Sequence, residues 1–430
     1  MKLILVSVLV LVVLFLSLSC NEGYDYSQAA LGLGLRDYSC TEAWIEVQIG
    51  SNDKTANIYI KKNGEIIQTV NVGQSSTLYY FDSLLPNTNY TFDAVTYEDG
   101  KEVKSNPITF TTLDTTSHNF TWQTFEFGQH SSSMLYDVAI INENNIWAVG
   151  EIYMNDSLGN PDPQIYNAVH WNGQVWELKR IKTNACGGVV YPPIKSIFAF
   201  SSNDILFAHI DGSISHFNGI EFKNDCLLIT QLNGSANKIW GISKNDFYVV
   251  SVNGFIAHYQ NGSWTKLESG TTTNINDVWG VFDQSNNQQM FYGAVSFVAQ
   301  TGDQKILKIQ NNKVDSLHWN TGRRIHSVWT FNNRFLYATG GGIFENKRGY
   351  WNEITEVPLY YSRNIRGTNN NNIFVCGDFG LFAHFSGTSW KTYNELYIQG
   401  IYYSISVKNN IVITVGFKGS KAIVIKGERN

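Results

Sequence analysis

Residues 39–114 alternate apolar and polar positions in short runs, "AWIEVQI", "ANIYIKK", "TLYYF", "YTFDAVTY" and "ITFTTL", with turn residues between them. A period of two over a few residues reads as half-buried strands, and several in succession predict a β-sandwich. The stretch before them, residues 20–38, shows no amphipathic period and reads as a tether. From residue 119 onward the pattern repeats itself. The unit "KIWGISKNDFYVVSVNGFIAHYQNGSWTKL", residues 238–267, recurs along the chain, and the Trp of "IWG" aligns with Ala139, Phe198, Trp279, Trp329, Arg366 and Tyr402 as well as marking Trp240 itself. Each unit reads as four short strands joined by Asn-rich and N-G turns, whose positive φ suits Asn and Gly. Four strands in about 40 residues is the period of a propeller blade.

The ends of the array predict how it closes. The seventh unit stops at "AIVIKGERN", just past Gly427, which aligns with Gly262, so its fourth strand is missing. Residues 120–128, "FTWQTFEFG", resemble residues 262–270, "GSWTKLESG", with Trp122 in the place of Trp264. The N-terminal segment is therefore expected to supply the outer strand of the last blade and hide an edge that would otherwise pair with other chains. The expected fold is all-β, with a β-sandwich followed by a seven-bladed β-propeller closed by an N-terminal strand.

Composition agrees and narrows the function. The 430 residues are 43% apolar, 14% aromatic and only 16% charged, which describes a folded, strand-rich chain of two or three domains. The net charge of −5 without a long basic run argues against nucleic acid as a partner. The first residues, "MKLILVSVLVLVVLFLSLSC", have one Lys before an apolar run, small residues at Ser17 and Ser19, and then Cys20. That is the layout of a secretory signal over residues 1–19. A Cys directly after it resembles the lipobox of bacterial lipoproteins, which implies a lipidated Cys20 and an exported protein of the outer membrane or cell surface. Ordinary cleavage leaving a free Cys20 is the alternative. Of the other cysteines, Cys186 and Cys226 lie at related places in neighbouring units and are the expected disulfide, while Cys376 in "IFVCGD" reads as a buried thiol.

Two resemblances add to this. Leu84, Pro86, Thr88 and Tyr90 match the L-x-P-x-T-x-Y tyrosine corner of fibronectin type III domains, with Trp44 as the early core Trp, which implies a sandwich over residues 39–114. The region 119–430 resembles exported bacterial propellers loosely related to the kelch-like and sialidase-like groups. Such folds host unrelated activities, so the resemblance implies fold rather than function.

Residues that repeat in phase read as scaffold. These include His170, His216, His258 and His384 on third strands, and Trp176, Trp264, Trp351 and Trp390 on fourth strands. What does not repeat carries the functional expectation. Loops joining second to third strands share a face with the linkers between blades. There Tyr153, Tyr166, Tyr191, Trp319, Arg323, Arg324, Tyr360, Tyr361 and Arg363 are expected around one rim. Aromatics and guanidinium groups on a concave face suit sugars, peptides or anions. Asn155, Asp156, Asn160 and Asp162 could ligate calcium, against the reading of a polar loop tip. No cofactor or metal motif stands out. The expected function is a cell-envelope binding or scaffolding module for glycan or protein ligands. The alternative is a carbohydrate-active enzyme on the same face, drawing on carboxylates such as Glu151, Asp156 and Asp162, although nothing in the sequence pairs them.

Overall fold

The computed structural model describes residues 31–50, 57–71, 75–98, 100–183, 191–226, 228, 236–283, 288–296, 303–332 and 334–430. The chain forms two compact units, the first drawn mainly from strands before Thr112 and the second mainly from Thr112–Asn430. Among the described residues, no helix is long and apolar enough to cross a membrane.

The first unit contains β1 (Leu31–Tyr38), β2 (Ala43–Ile49), β3 (Asn57–Lys62), β4 (Glu65–Asn71), β5 (Ser76–Phe81), β6 (Asn89–Glu98), β7 (Lys101–Lys104) and β8 (Ile108–Thr111). One sheet runs β1-β2-β5 and the other β4-β3-β6-β7, with β8 also on β6. Alternate residues of the two sheets meet in the core, where the Phe81 and Phe92 rings lie 5.2 Å apart. β1 occupies part of the segment expected to be a tether. In "LGLGL", Leu31 and Leu33 are buried and the glycines between them hid the alternation.

The second unit is a succession of seven four-stranded antiparallel sheets. Their inner strands are Met134–Asn142, Ile194–Ser201, Lys238–Ser243, Ile275–Asp283, Ile325–Trp329, Ser362–Asn369 and Gly400–Lys408. Each inner strand packs beside the next, and the last packs beside the first. The seventh sheet is completed by Phe120–Phe127, which pairs with Lys421–Arg429 from Ala422↔Phe127 to Arg429↔Phe120.

Two details differ from the sequence expectation. Trp122 is half-buried, whereas Trp264 is buried. Gly427 does not occupy a hairpin turn like Gly262; it lies inside the last strand opposite Trp122, whose ring fills the space a Cβ would need, 2.2 Å from it.

The inner strands share one internal order. A register shift falls between Leu135 and Asp137, Ile194 and Ser196, Ile275 and Asp277, Ile325 and Ser327, Ser362 and Asn364, and Tyr402 and Ser404. This places Asp137, Ser196, Lys238, Asp277, Ser327, Asn364 and Ser404 at one position. The residue after it is always β-branched and buried: Val138, Ile197, Ile239, Val278, Val328, Ile365 and Ile405. The marker two residues on is therefore Ser406 in the seventh sheet, not Tyr402. Tyr402 is a fully buried aromatic four residues earlier, and its bulk gives it the look of the marker in the sequence.

Candidate functional site: the mouth of the central channel

The register shift is a β-bulge, and a bulge re-aims the extra side chain. In six strands the extra residue is Tyr136, Lys195, Asn276, His326, Arg363 or Tyr403, and Asn237 stands at the same place in the third sheet. All seven are half-buried, and all line one cavity of about 290 Å³ at the end of the channel where the inner strands begin. In six sheets the bulge, and in the third sheet the same position without one, brings a residue of variable chemistry to a common mouth.

Below the mouth the channel is plugged. Arg366 reaches from the sixth sheet to Asp277 of the fourth with two hydrogen bonds, 2.7 and 2.9 Å. Lys238 of the third donates to Asp137 of the first at 2.7 Å. Ser196 Oγ donates to Asp137 at 2.7 Å, and Asn364 Nδ2 donates to Ser327 at 3.2 Å. The same side chains accept the next strand's N–H: Ile197 to Asp137, Ile239 to Ser196, Val328 to Asp277, Ile365 to Ser327 and Ile405 to Asn364. Burial alone would raise the Asp277 carboxyl, but the Arg366 guanidinium overrides it and holds the group below its ordinary range. Beyond the plug, a second cavity of about 150 Å³ is lined by Phe198, Trp240 and Trp279.

At the mouth, aromatic rings and charges are interleaved. The Lys195 ammonium lies 3.5 Å from the centre of the Tyr136 ring, and no carboxylate among the described residues forms an ion pair with it. Burial lowers its pKa, against the pull of Glu151. Glu151 accepts from both tyrosine hydroxyls, Tyr136 and, at 2.9 Å, Tyr153. Burial and this carboxylate raise both phenols, Tyr153 to about 12. Arg363 binds Asp378 through two nitrogens at 2.7 and 3.2 Å and stacks 4.7 Å from Tyr361 and 5.9 Å from Tyr403. Burial, with Arg363 nearby, pushes His326 down to about 3, so this imidazole is neutral.

The expected rim residues divide. Arg363 lines the mouth; Tyr361 stacks on it and lies 5.5 Å from Arg324, and Tyr153 is joined to the mouth residue Tyr136 through Glu151. Tyr166 instead stacks under Arg180 at 4.0 Å within its own sheet, and Arg180 pairs with Asp162. Trp319 packs 4.8 Å from Trp351 and donates to the Arg323 carbonyl at 2.9 Å, while Arg323 faces Glu353 at 3.8 Å. Tyr191 is half-buried. Tyr360 lies against Phe379, 5.4 Å between rings.

In the polar loop, Asp156 accepts the Leu158 and Asn160 amides at 2.9 Å and Asp162 accepts that of Gln164, so these carboxylates hold the loop's own shape. The strand-three histidines each bind the first residue of the neighbouring second strand: His170 with Asn145, His216 with Asp204, His258 with Asp246 and His384 with Asn372. Cys226 is in a disulfide, and Cys40 and Cys376 are buried thiols. Cys20 and Cys186 lie outside the described residues. Sequence reasoning missed Tyr136, Lys195, Asn237, Asn276, His326 and Tyr403. The signal was a position three before the corrected marker, and two before an always β-branched residue, whose identity varies from unit to unit.

No family model matches the chain, and no curated protein matches it in sequence. Solved structures do. "YCF48 bound to D1 peptide" aligns with a TM-score of 0.54 and 14% identity over 72% of this chain and 95% of that one. The WD40 β-propeller domain of Doa1 aligns with a TM-score of 0.50 and 15% identity over 73% and 98%. At this identity the likeness concerns the fold: the chain is all-β and contains a β-propeller.

Proposed function

We propose that the protein is a binding module that takes an extended segment of a partner protein into the channel mouth of a seven-bladed propeller. One observation carries this reading: the residues at this position of the seven inner strands differ in chemistry from sheet to sheet, and all seven line one cavity. A blind mouth above a sealed plug suits capture rather than passage. The carboxylates around it are engaged, Glu151 by tyrosines, Asp378 by Arg363, Asp137 by Lys238 and Asp277 by Arg366, which favours binding over glycoside hydrolysis by a carboxyl pair. A propeller solved with a bound peptide shares the fold, which is consistent with a protein ligand.

The propeller is carried at the cell envelope by a lipid on Cys20, with a fibronectin type III-like sandwich as spacer. The lipobox-like leader and the tyrosine-corner residues support these two points.

The test is selection of random peptides on the full chain, beside a glycan array. Lys195→Gln should weaken the selected peptides at least tenfold, about the loss of one charge-assisted contact. Capture of glycans alone, or peptides indifferent to Lys195, would overturn the reading. Cys20→Ser should move the protein from the membrane to the soluble fraction.

A further inference from the structure

Two of the loops on the mouth face are the same turn. In the third sheet Phe255 N donates to Val252 O at 3.1 Å around Asn253 and Gly254, with φ of 54° and 69°. In the sixth, Leu381 N donates to Asp378 O at 3.1 Å around Phe379 and Gly380, with φ of 60° and 73°. Both central residues have positive φ, a turn for which Asn-Gly is the favoured pair. Phe is a poor choice there, because a bulky Cβ in the left-handed region is strained. Burial does not compensate, since Phe379 is 52% exposed. Strain retained without local benefit points to function.

The turn is clamped and aimed. Phe379 N donates to Gly400 O at 2.8 Å, Ile398 N to Phe379 O at 3.3 Å and Asp378 N to Tyr361 O at 2.9 Å. The Phe379 ring lies against Tyr360, itself 40% exposed, and the two adjoining linkers expose Leu359 at 62% and Tyr397 at 56%. The platform is continuous with the mouth, because Asp378, the residue before Phe379, holds Arg363. The mouth in turn offers Lys195 without an ion pair, over the Tyr136 ring, and shares its lining with Arg363.

We propose that Phe379, with Tyr360, Leu359 and Tyr397, is a specificity-determining platform for an aliphatic or aromatic side chain of an acidic peptide whose carboxylate is taken by Lys195. This rests on the binding function above and names its ligand class. The occupant is argued from charge: Lys195 lines the mouth without a direct ion pair, and the mouth leads through Arg363 and Asp378 to an exposed apolar surface.

Random-sequence peptides displayed on phage are selected on the wild-type full chain and on Phe379→Asn. The Asn variant restores the favoured turn, so it should melt about 2 °C higher, the order of shift expected when strain of this kind is relieved in a chain this long. It should also bind wild-type-selected peptides at least tenfold more weakly and lose the preference for an apolar residue while keeping that for Asp or Glu. Phe379→Ala, which removes the ring but keeps the backbone, should show the same loss of selection. If both variants bind wild-type peptides undiminished, or Phe379→Asn melts lower, the platform is wrong while the binding function stands. If the wild type selects no peptide, both fall.

Discussion

Asp277 and Arg366 are 89 positions apart in sequence, yet each is the other's main partner. Arg366 stands at the marker position that holds Trp279 and Trp329 in the sheets before it, and its guanidinium crosses the channel instead of filling a gap between sheets. The irregular residue was visible in "NIRG"; its partner was not, because nothing local in a repeat says which blade a long side chain will reach. Both groups are buried, so removing one strands the other without solvent. Asp277→Asn should cost about 3–5 kcal/mol, whereas Asp277→Leu with Arg366→Leu should cost much less. The native carboxyl is held below its ordinary range, so the stability it contributes is present above the unfolded pKa and is lost as pH falls through the lower, folded one. Thermal melts of the single and double variants at neutral pH check the first part. A single variant that melts with the wild type would show that the pair is not what seals the channel.

At the scale of the element, the turns were legible and the bulges were not. Asn261-Gly262 adopts the positive φ that its composition announces. A bulge leaves no such mark, because it changes register by one residue without needing a special side chain, and so the mouth was missed. The closing strand was legible for a different reason: its Trp122 and aromatic alternation copy a known outer strand. Just before that strand, His118 meets His384 with the two Nδ1 atoms 2.8 Å apart, an arrangement that requires one donor and one acceptor. His118 also faces Lys391 and Arg429, and His384 faces the same two cations. Burial first, then these charges, lower both imidazoles, His384 to about 2. The unfolded chain binds protons near pH 6.5 while the folded seam refuses them, so stability falls as pH drops below that value. For His384 the loss should reach about 2 kcal/mol at pH 5. His209 and His326 are also lowered by burial, so the measurement is a difference. His384→Gln should lose less melting temperature between pH 7.5 and 5 than the wild type does, and an unchanged slope would remove the seam from the explanation.

On the scale of the whole molecule, the ring depends on one strand from the far end of its own sequence. Phe120–Phe127 is not merely an edge cover, because its two faces enter two different cores. Phe120 and Trp122 pack with Phe382, Tyr393, Ile423 and Ile425, and Phe125 and Phe127 pack with Val138, Trp171, Ala422 and Val424. Deleting residues 119–128 therefore removes apolar contacts from the seventh sheet and from both its neighbours, and leaves the N–H and C=O groups of Lys421–Arg429 as an open edge. Since each inner strand packs on the next around the ring, a breach here has no intact sheet beyond it to stop at. A chain beginning at residue 130 should melt on the order of 10 °C below one beginning at residue 112, because several kcal/mol of burial are lost and each shifts the midpoint by a few degrees. Adding a synthetic peptide of residues 118–129 should restore much of the difference, and the recovered midpoint should rise with peptide concentration as a binding equilibrium requires. Half-buried Trp122 carries only part of this, so Trp122→Ala should cost less than the about 3–5 kcal/mol of a fully buried aromatic. Equal midpoints for the two chains, or a peptide without effect, would mean that the seven sheets hold together without the strand and that its pairing contributes little to the ring.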